Sequence, residues 1–135
     1  VLAALGEAEA IFLAPSNPVA SIGPILAVPA IRECLRSSRA PIVAVSPVIG
    51  GASLKGPTDK FLRWAKVEVS PLGVARLYDP ALGGLDGIVI DRTDAHETPR
   101  IEALGVRVRV GEILMQSSEQ KRLVARTALK FLEEL

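Results

Sequence analysis

The chain has 135 residues, enough for one domain with a real core and too few for two. Its 16 basic and 15 acidic side chains leave a net charge of +1, so charge argues for neither nucleic acid nor an anionic membrane as a partner. The single cysteine, Cys34, cannot close an internal disulfide, which fits a reducing cytoplasm.

The first residue is not Met, and "VLAALGEAEA" reads as the tail of a helix, so the chain is expected to be part of something longer. No basic segment followed by an apolar one reads as a signal peptide. From Ala10 to Ile31 no residue is charged, a run about long enough to cross a bilayer. Pro15, Pro18, Pro24 and Pro29 interrupt it. Each removes an amide donor and biases the residue before it away from the helical region, which lipid would not forgive. A membrane span is therefore not expected.

Within that run "AIFLAP" (10–15) suits a strand buried on both faces. A helical turn is predicted near 23–27 and a helix from Pro29 to Arg36, with prolines in the first turns. "PIVAVSP" (41–47) reads as a second buried strand, and "PTDKFLRWA" (57–65) as a helix with Asp59 in its first turn. "KVEVSP" and "GVARLYD" suggest a short strand and an exposed connection before a third strand, "GIVID" (87–91). "ETPRIEALG" reads as a helix closed by Gly105.

"VRVRV" (106–110) alternates, as a half-exposed strand does. Ser117 and Gln120 form a capping-box pattern, and Val124, Ala128, Phe131 and Leu135 make one helical stripe behind it. Strands alternating with helices predict a single α/β domain over 1–135, with a mostly parallel sheet and helices on both faces.

In such sheets ligands bind beyond the carboxyl ends of the strands. Three loops lie there: "PSNPVASIG", "SPVIGGASLKGP" and "DRTDAHETP". The first two offer small residues and backbone N–H groups ahead of helices, with Lys55 beside them, which suits phosphate. Ordinary turns have the same composition. No G-x-G-x-x-G is present, and "GGASLKGPT" lacks the Gly-Lys-Ser/Thr ending of a P-loop. Asp91 and Asp94 offer oxygen ligands for Mg²⁺, although helix capping is the plainer reading of the pair. His96 reads as surface, while Cys34 and Trp64 read as packing. No Ser-His-Asp set or zinc-binding cysteine cluster can be assembled.

"PSNPVASIGPILAVPAIRE" and "PIVAVSPVIGGASLKGPTDKFL", followed in order by "GVARLYD", "GIVIDRTDA" and "ILM", strongly resemble the 2-phospho-L-lactate transferase family of deazaflavin coenzyme F-420 biosynthesis. The similarity covers nearly the whole chain and corresponds to the C-terminal part of a member. The resemblance implies a Rossmann-like α/β/α fold, here a partial domain. It also implies a guanosine diphosphate-activated phospholactate or phosphoenolpyruvate donor, the deazaflavin Fo as acceptor, release of GMP, a need for Mg²⁺ and a cytoplasmic homodimer. On that reading Ser16, Asn17, Ser21, Gly23, Ser46, Gly50, Gly51, Lys55 and Gly56 face the donor's diphosphate. The family's glycine-rich first loop and the acidic residues associated with Fo and metal have no counterpart here, so the catalytic base and metal ligands are not assigned. The alternative is a non-catalytic regulator of the gluconeogenesis-factor type that binds a nucleotide or nucleotide sugar. The "SPVIGG…KGP" loop resembles the transferases and not those regulators.

Overall fold

A computed structural model describes residues 1–53 and 56–135. In chain order it has α1 (Leu2–Gly6), β1 (Ile11–Leu13), a π turn (Pro18–Ile22), α2 (Gly23–Leu26), α3 (Pro29–Ser37) and β2 (Ile42–Val45). Then come β3 (Val48–Ile49), β4 (Ala52–Ser53), α4 (Thr58–Trp64), α5 (Pro71–Leu82) and β5 (Gly87–Asp91). A 3₁₀ segment (Arg92–Glu97), α6 (Thr98–Glu102), β6 (Arg107–Gly111) and α7 (Ser118–Leu132) complete it.

The four predicted strands form one sheet in the order β1-β2-β5-β6, every pair parallel. Each strand sits beside its predecessor, so right-handed crossovers carry all the connecting helices to one face. Side chains alternate across a strand, and Ile11, Leu13, Ile42, Ala44, Ile88 and Ile90 point to that face. There they pack with Leu26 of α2, Leu35 of α3, Leu62 of α4, Leu72 and Val74 of α5 and Ile101 of α6. The opposite face presents Val43, Val45 and Val89, and α7 covers it with Val124, Ala128 and Phe131. Helices thus lie on both faces, as the alternation predicts, but the second face has only α7. A Cβ built on Gly87 would lie 2.6 Å from the Phe131 ring, so the close seat of α7 depends on that glycine. The predicted capping box at Ser117 and Gln120 opens α7 with both of its hydrogen bonds.

Several expectations are corrected. β1 is not buried on both faces: it is an edge of the described sheet, and Phe12 is 38% exposed. No strand forms at "KVEVSP", and "GVARLYD", read as an exposed connection, lies in α5, twelve residues long and largely buried. Its Ser70 cap accepts the Gly73 N–H, Pro71 fits the first turn, and Gly83 closes the helix at φ +80°. Gly73 and Pro80 disguised it. Gly73 is needed because a Cβ there would fall 1.9 Å from the Glu68 carbonyl oxygen. Pro80 forfeits only one intrahelical bond near the C-terminal end. The helix expected at "ETPRIEALG" is present as α6, left through Gly105 at φ +86°, and the 3₁₀ segment that precedes it was not expected. Trp64 is 76% exposed at the end of α4 rather than packed, Cys34 is half-buried, and Leu135 lies beyond α7 and is exposed.

Among the described residues no single helix is long and apolar enough to cross a membrane, and Pro18–Leu26 meets Pro29–Ser37 at an 84° bend.

Candidate functional site

A cleft of about 590 Å³ opens at the carboxyl ends of the parallel strands. Its walls come from three loops. Ser16, Asn17 and Ser21 follow β1, and Ser46, Pro47, Gly56, Pro57 and Thr58 follow β2. Ile113, Leu114, Met115 and Gln116 follow β6, and Lys121 reaches in from the first turns of α7.

Asn17 builds the first wall. Its Oδ1 accepts the N–H groups of Val19 and Ala20 at 3.0 and 2.9 Å, while its carbonyl accepts those of Ser21 and Ile22. The second of these closes a π turn, a rare conformation frequent at functional sites. Gly23 supports the turn rather than lining the cleft, since a Cβ there would lie 3.1 Å from the Pro18 carbonyl oxygen. Ser46 lines the cleft but is buried, and its hydroxyl donates to the Val48 carbonyl and accepts the Val48 N–H.

Gly50 and Gly51 are elsewhere. They form the two-residue turn between the antiparallel strands β3 and β4, with φ of +59° and +75°. Both central residues of such a hairpin turn need positive φ, which glycine adopts freely. The Gly50 N–H donates to the Asp94 carboxylate, and neither glycine is among the cleft-lining residues. Lys55 lies outside the described residues. Gly56, at φ +70°, lines the cleft.

The loop after β5 carries buried acids rather than a cleft wall. Asp91 accepts the N–H and hydroxyl of Thr93 on one oxygen and the Ile113 N–H on the other. Burial works against its charged form, but these donors and Arg92 together hold its pKa below the usual carboxylate value. Asp94 is spent on Gly50, and Glu97 accepts the Leu72 N–H at 3.0 Å. Asp91 caps the 3₁₀ segment, the plainer of the two readings of the pair. Asp91 and Asp94 both hold hydrogen bonds, and neither lines the cleft. Among the described residues no group of three His, Cys, Asp or Glu side chains could hold a metal. His96 is exposed, as expected.

The sequence reading brought Ser16, Asn17, Ser21, Ser46 and Gly56 to one cleft. It passed over Thr58, Phe61, Met115, Gln116 and Lys121. The signal for the last three was available, because the loop after the alternating "VRVRV" strand also leaves a carboxyl end of the sheet.

Residues 1–126 match the family described as 2-phospho-L-lactate transferase CofD. A phosphoenolpyruvate transferase of Kitasatospora aureofaciens is 44% identical over the whole chain, which covers 41% of that protein. One from Streptomyces griseus is 42% identical, again over the whole chain and 42% of the relative. A 2-phospho-L-lactate transferase of Methanosarcina acetivorans is 39% identical over 93% of the chain and 39% of its own length. The chain thus spans about two fifths of the length of these curated relatives. With the family matched over nearly all of its residues and a parallel α/β sheet opening a polar-rimmed cleft at its carboxyl edge, the chain belongs to the 2-phospho-L-lactate transferase CofD family.

Proposed function

We propose that this chain supplies the donor-binding side of a transferase of coenzyme F-420 biosynthesis. The transferred group is a 2-phospholactyl or enolpyruvyl-phosphate unit joined through its phosphate to GMP, so that the donor carries one diphosphate link, and the acceptor is the ribityl hydroxyl of Fo. That hydroxyl oxygen forms the new bond to phosphorus, the bond to the GMP phosphate breaks, and GMP leaves. Whole-chain identity to relatives named phosphoenolpyruvate transferase favours the enolpyruvyl donor.

One observation carries the reading. The cleft lies where parallel sheets bind ligands, and Asn17 and Lys121 both line it. Catalysis of phosphoryl transfer is mostly positioning and charge stabilisation. The Asn17 amide, the Ser16 and Ser21 hydroxyls, the Gly56 N–H and the Lys121 ammonium are groups of the kind a diphosphate needs. Lys55 belongs to the same proposal on sequence grounds. Gly50 is left out because its N–H is taken by Asp94. Mg²⁺, Fo contacts and the proton acceptor are assigned to the remainder of a full-length transferase, since the described residues bring no three ligating side chains together. A cytoplasmic location and a homodimer complete the proposal.

The test is a chimera in which these 135 residues replace the matching part of the Kitasatospora relative, assayed with the activated donor, Fo and Mg²⁺ by mass spectrometry. Formation of the phosphodiester of Fo is expected, with Lys121→Met lowering turnover. A folded chimera that binds GDP but forms no product would instead favour the regulator reading.

A further inference from the structure

Asp94 and Glu97 are spaced by three, the period of a 3₁₀ helix, so they share one face of the segment after β5, and Asp91, at the end of β5, caps that segment. All three are buried, at 8%, 2% and 4% exposure. A buried carboxylate is costly unless hydrogen-bonded, and each of these is used on the backbone of a different segment. Asp91 holds the Ile113 N–H at 3.2 Å, Asp94 the Gly50 N–H with both oxygens at 3.1 and 3.0 Å, and Glu97 the Leu72 N–H at the start of α5.

Two of the three anchored segments border the cleft. Ile113 lines it directly. The hairpin turned at Gly50 leads into Gly56, Pro57 and Thr58, which line the other side, and β4 packs against α4. None of the three carboxylates lines the cleft. We infer that the 3₁₀ segment is a spacer that sets the distance between the β2-side and β6-side walls of the cleft, and that Asp94 is a positioning residue for the ligand held there. The ligand part of this inference rests on the nucleotide reading above; the holding of the walls does not.

Asp94→Asn keeps an acceptor oxygen at the same reach, whereas Asp94→Ala leaves the Gly50 N–H without a partner. Amide hydrogen exchange of the whole chain is measured by NMR for the wild type and both variants, and the same samples are titrated with GDP. In Asp94→Ala the amides of Gly50 and also of Phe61 and Ala65, which are hydrogen-bonded in α4, are expected to exchange about tenfold faster, while those of β2 and β5 hold. GDP affinity is expected to fall about tenfold. Asp94→Asn should restore both. Faster exchange at Gly50 alone, with the α4 amides and GDP affinity unchanged, would overturn the inference. Absence of GDP binding by the wild type would sink the nucleotide reading, and the exchange pattern would still decide whether Asp94 holds the wall. If Asp94→Ala does not fold, Asp94→Ser, too short to span the gap but still polar, takes its place.

Discussion

The Oδ1 atom of Asn17 is occupied by the N–H groups of Val19 and Ala20, which leaves the amide NH₂ to meet a ligand. Two substitutions separate these roles. Asn17→Ala loses both, and should lower stability by about 1 kcal/mol as a lost cap and weaken GDP binding by about 1–3 kcal/mol. Asn17→Asp keeps the cap acceptor but sets a negative charge where the donor was. Its melting temperature should match the wild type while GDP binding falls further than in the alanine variant. Thermal denaturation beside calorimetry reads both. An aspartate variant that binds GDP as well as the wild type would remove the amide from the site.

Asp91 sets a pH dependence. Its pKa in the fold lies below the usual 3.8, against the pull of burial, because Thr93 and Ile113 donate to the charged form. A depressed carboxylate stabilises the fold fully above its unfolded value and loses that contribution as pH falls through the folded one. The melting temperature should therefore drop as pH falls below 3.8, and Asp91→Asn should begin lower and decline less steeply over that range. Equal slopes would contradict the assignment. Glu68 is also lowered, first by its hydrogen bond from Arg100, but that pair is about half exposed and contributes little to the slope.

Among the elements, the seat of α7 gives the sharpest test. Gly87 on β5 allows Phe131 to lie against the sheet, with the Arg109 guanidinium 5.3 Å from the ring centroid. Gly87→Ala should cost about 1–3 kcal/mol by overpacking. Adding Phe131→Leu should recover part of that loss, giving a non-additive cycle in urea denaturation. Strict additivity would mean that the ring does not rest on Gly87.

Elements whose signals are local were legible: the four apolar or alternating strands, the proline-initiated helices and the Ser117 capping box. α5 was not, because its glycine and proline look like breakers until Glu68 and the helix end are placed beside them. The site divides in the same way. Asn17 was legible as a loop residue facing the cleft, while its cap role comes from bonds to Val19 and Ala20. The bond from Gly50 to Asp94 joins residues 44 apart, so no local pattern could tell a hairpin turn from a phosphate cradle. Lys121 was missed because the loop after β6 was not counted among those at the carboxyl ends of the strands.

For the whole molecule, the chain spans about two fifths of its relatives, and catalysis by positioning fails when one reactant is not held. The 135 residues alone, given donor, Fo and Mg²⁺, should yield no phosphodiester product by mass spectrometry. β1 and β6 are the edges of the described sheet, with Phe12 and Val110 exposed. Concentration-dependent self-association should appear in sedimentation velocity, and Phe12→Lys should reduce it.

The central claim is that a nucleoside diphosphate sits between the loop after β1 and the loop after β6. Following the backbone amide resonances of the chain as GDP is added tests it most directly. Shifts should concentrate at Ser16 to Ser21, Gly56 to Phe61 and Leu114 to Lys121, with Asp79, Asp86 and Arg107 at the other end of the strands unmoved. Shifts clustered at Asp79, Asp86 and Arg107, or none anywhere at saturating GDP, would contradict it.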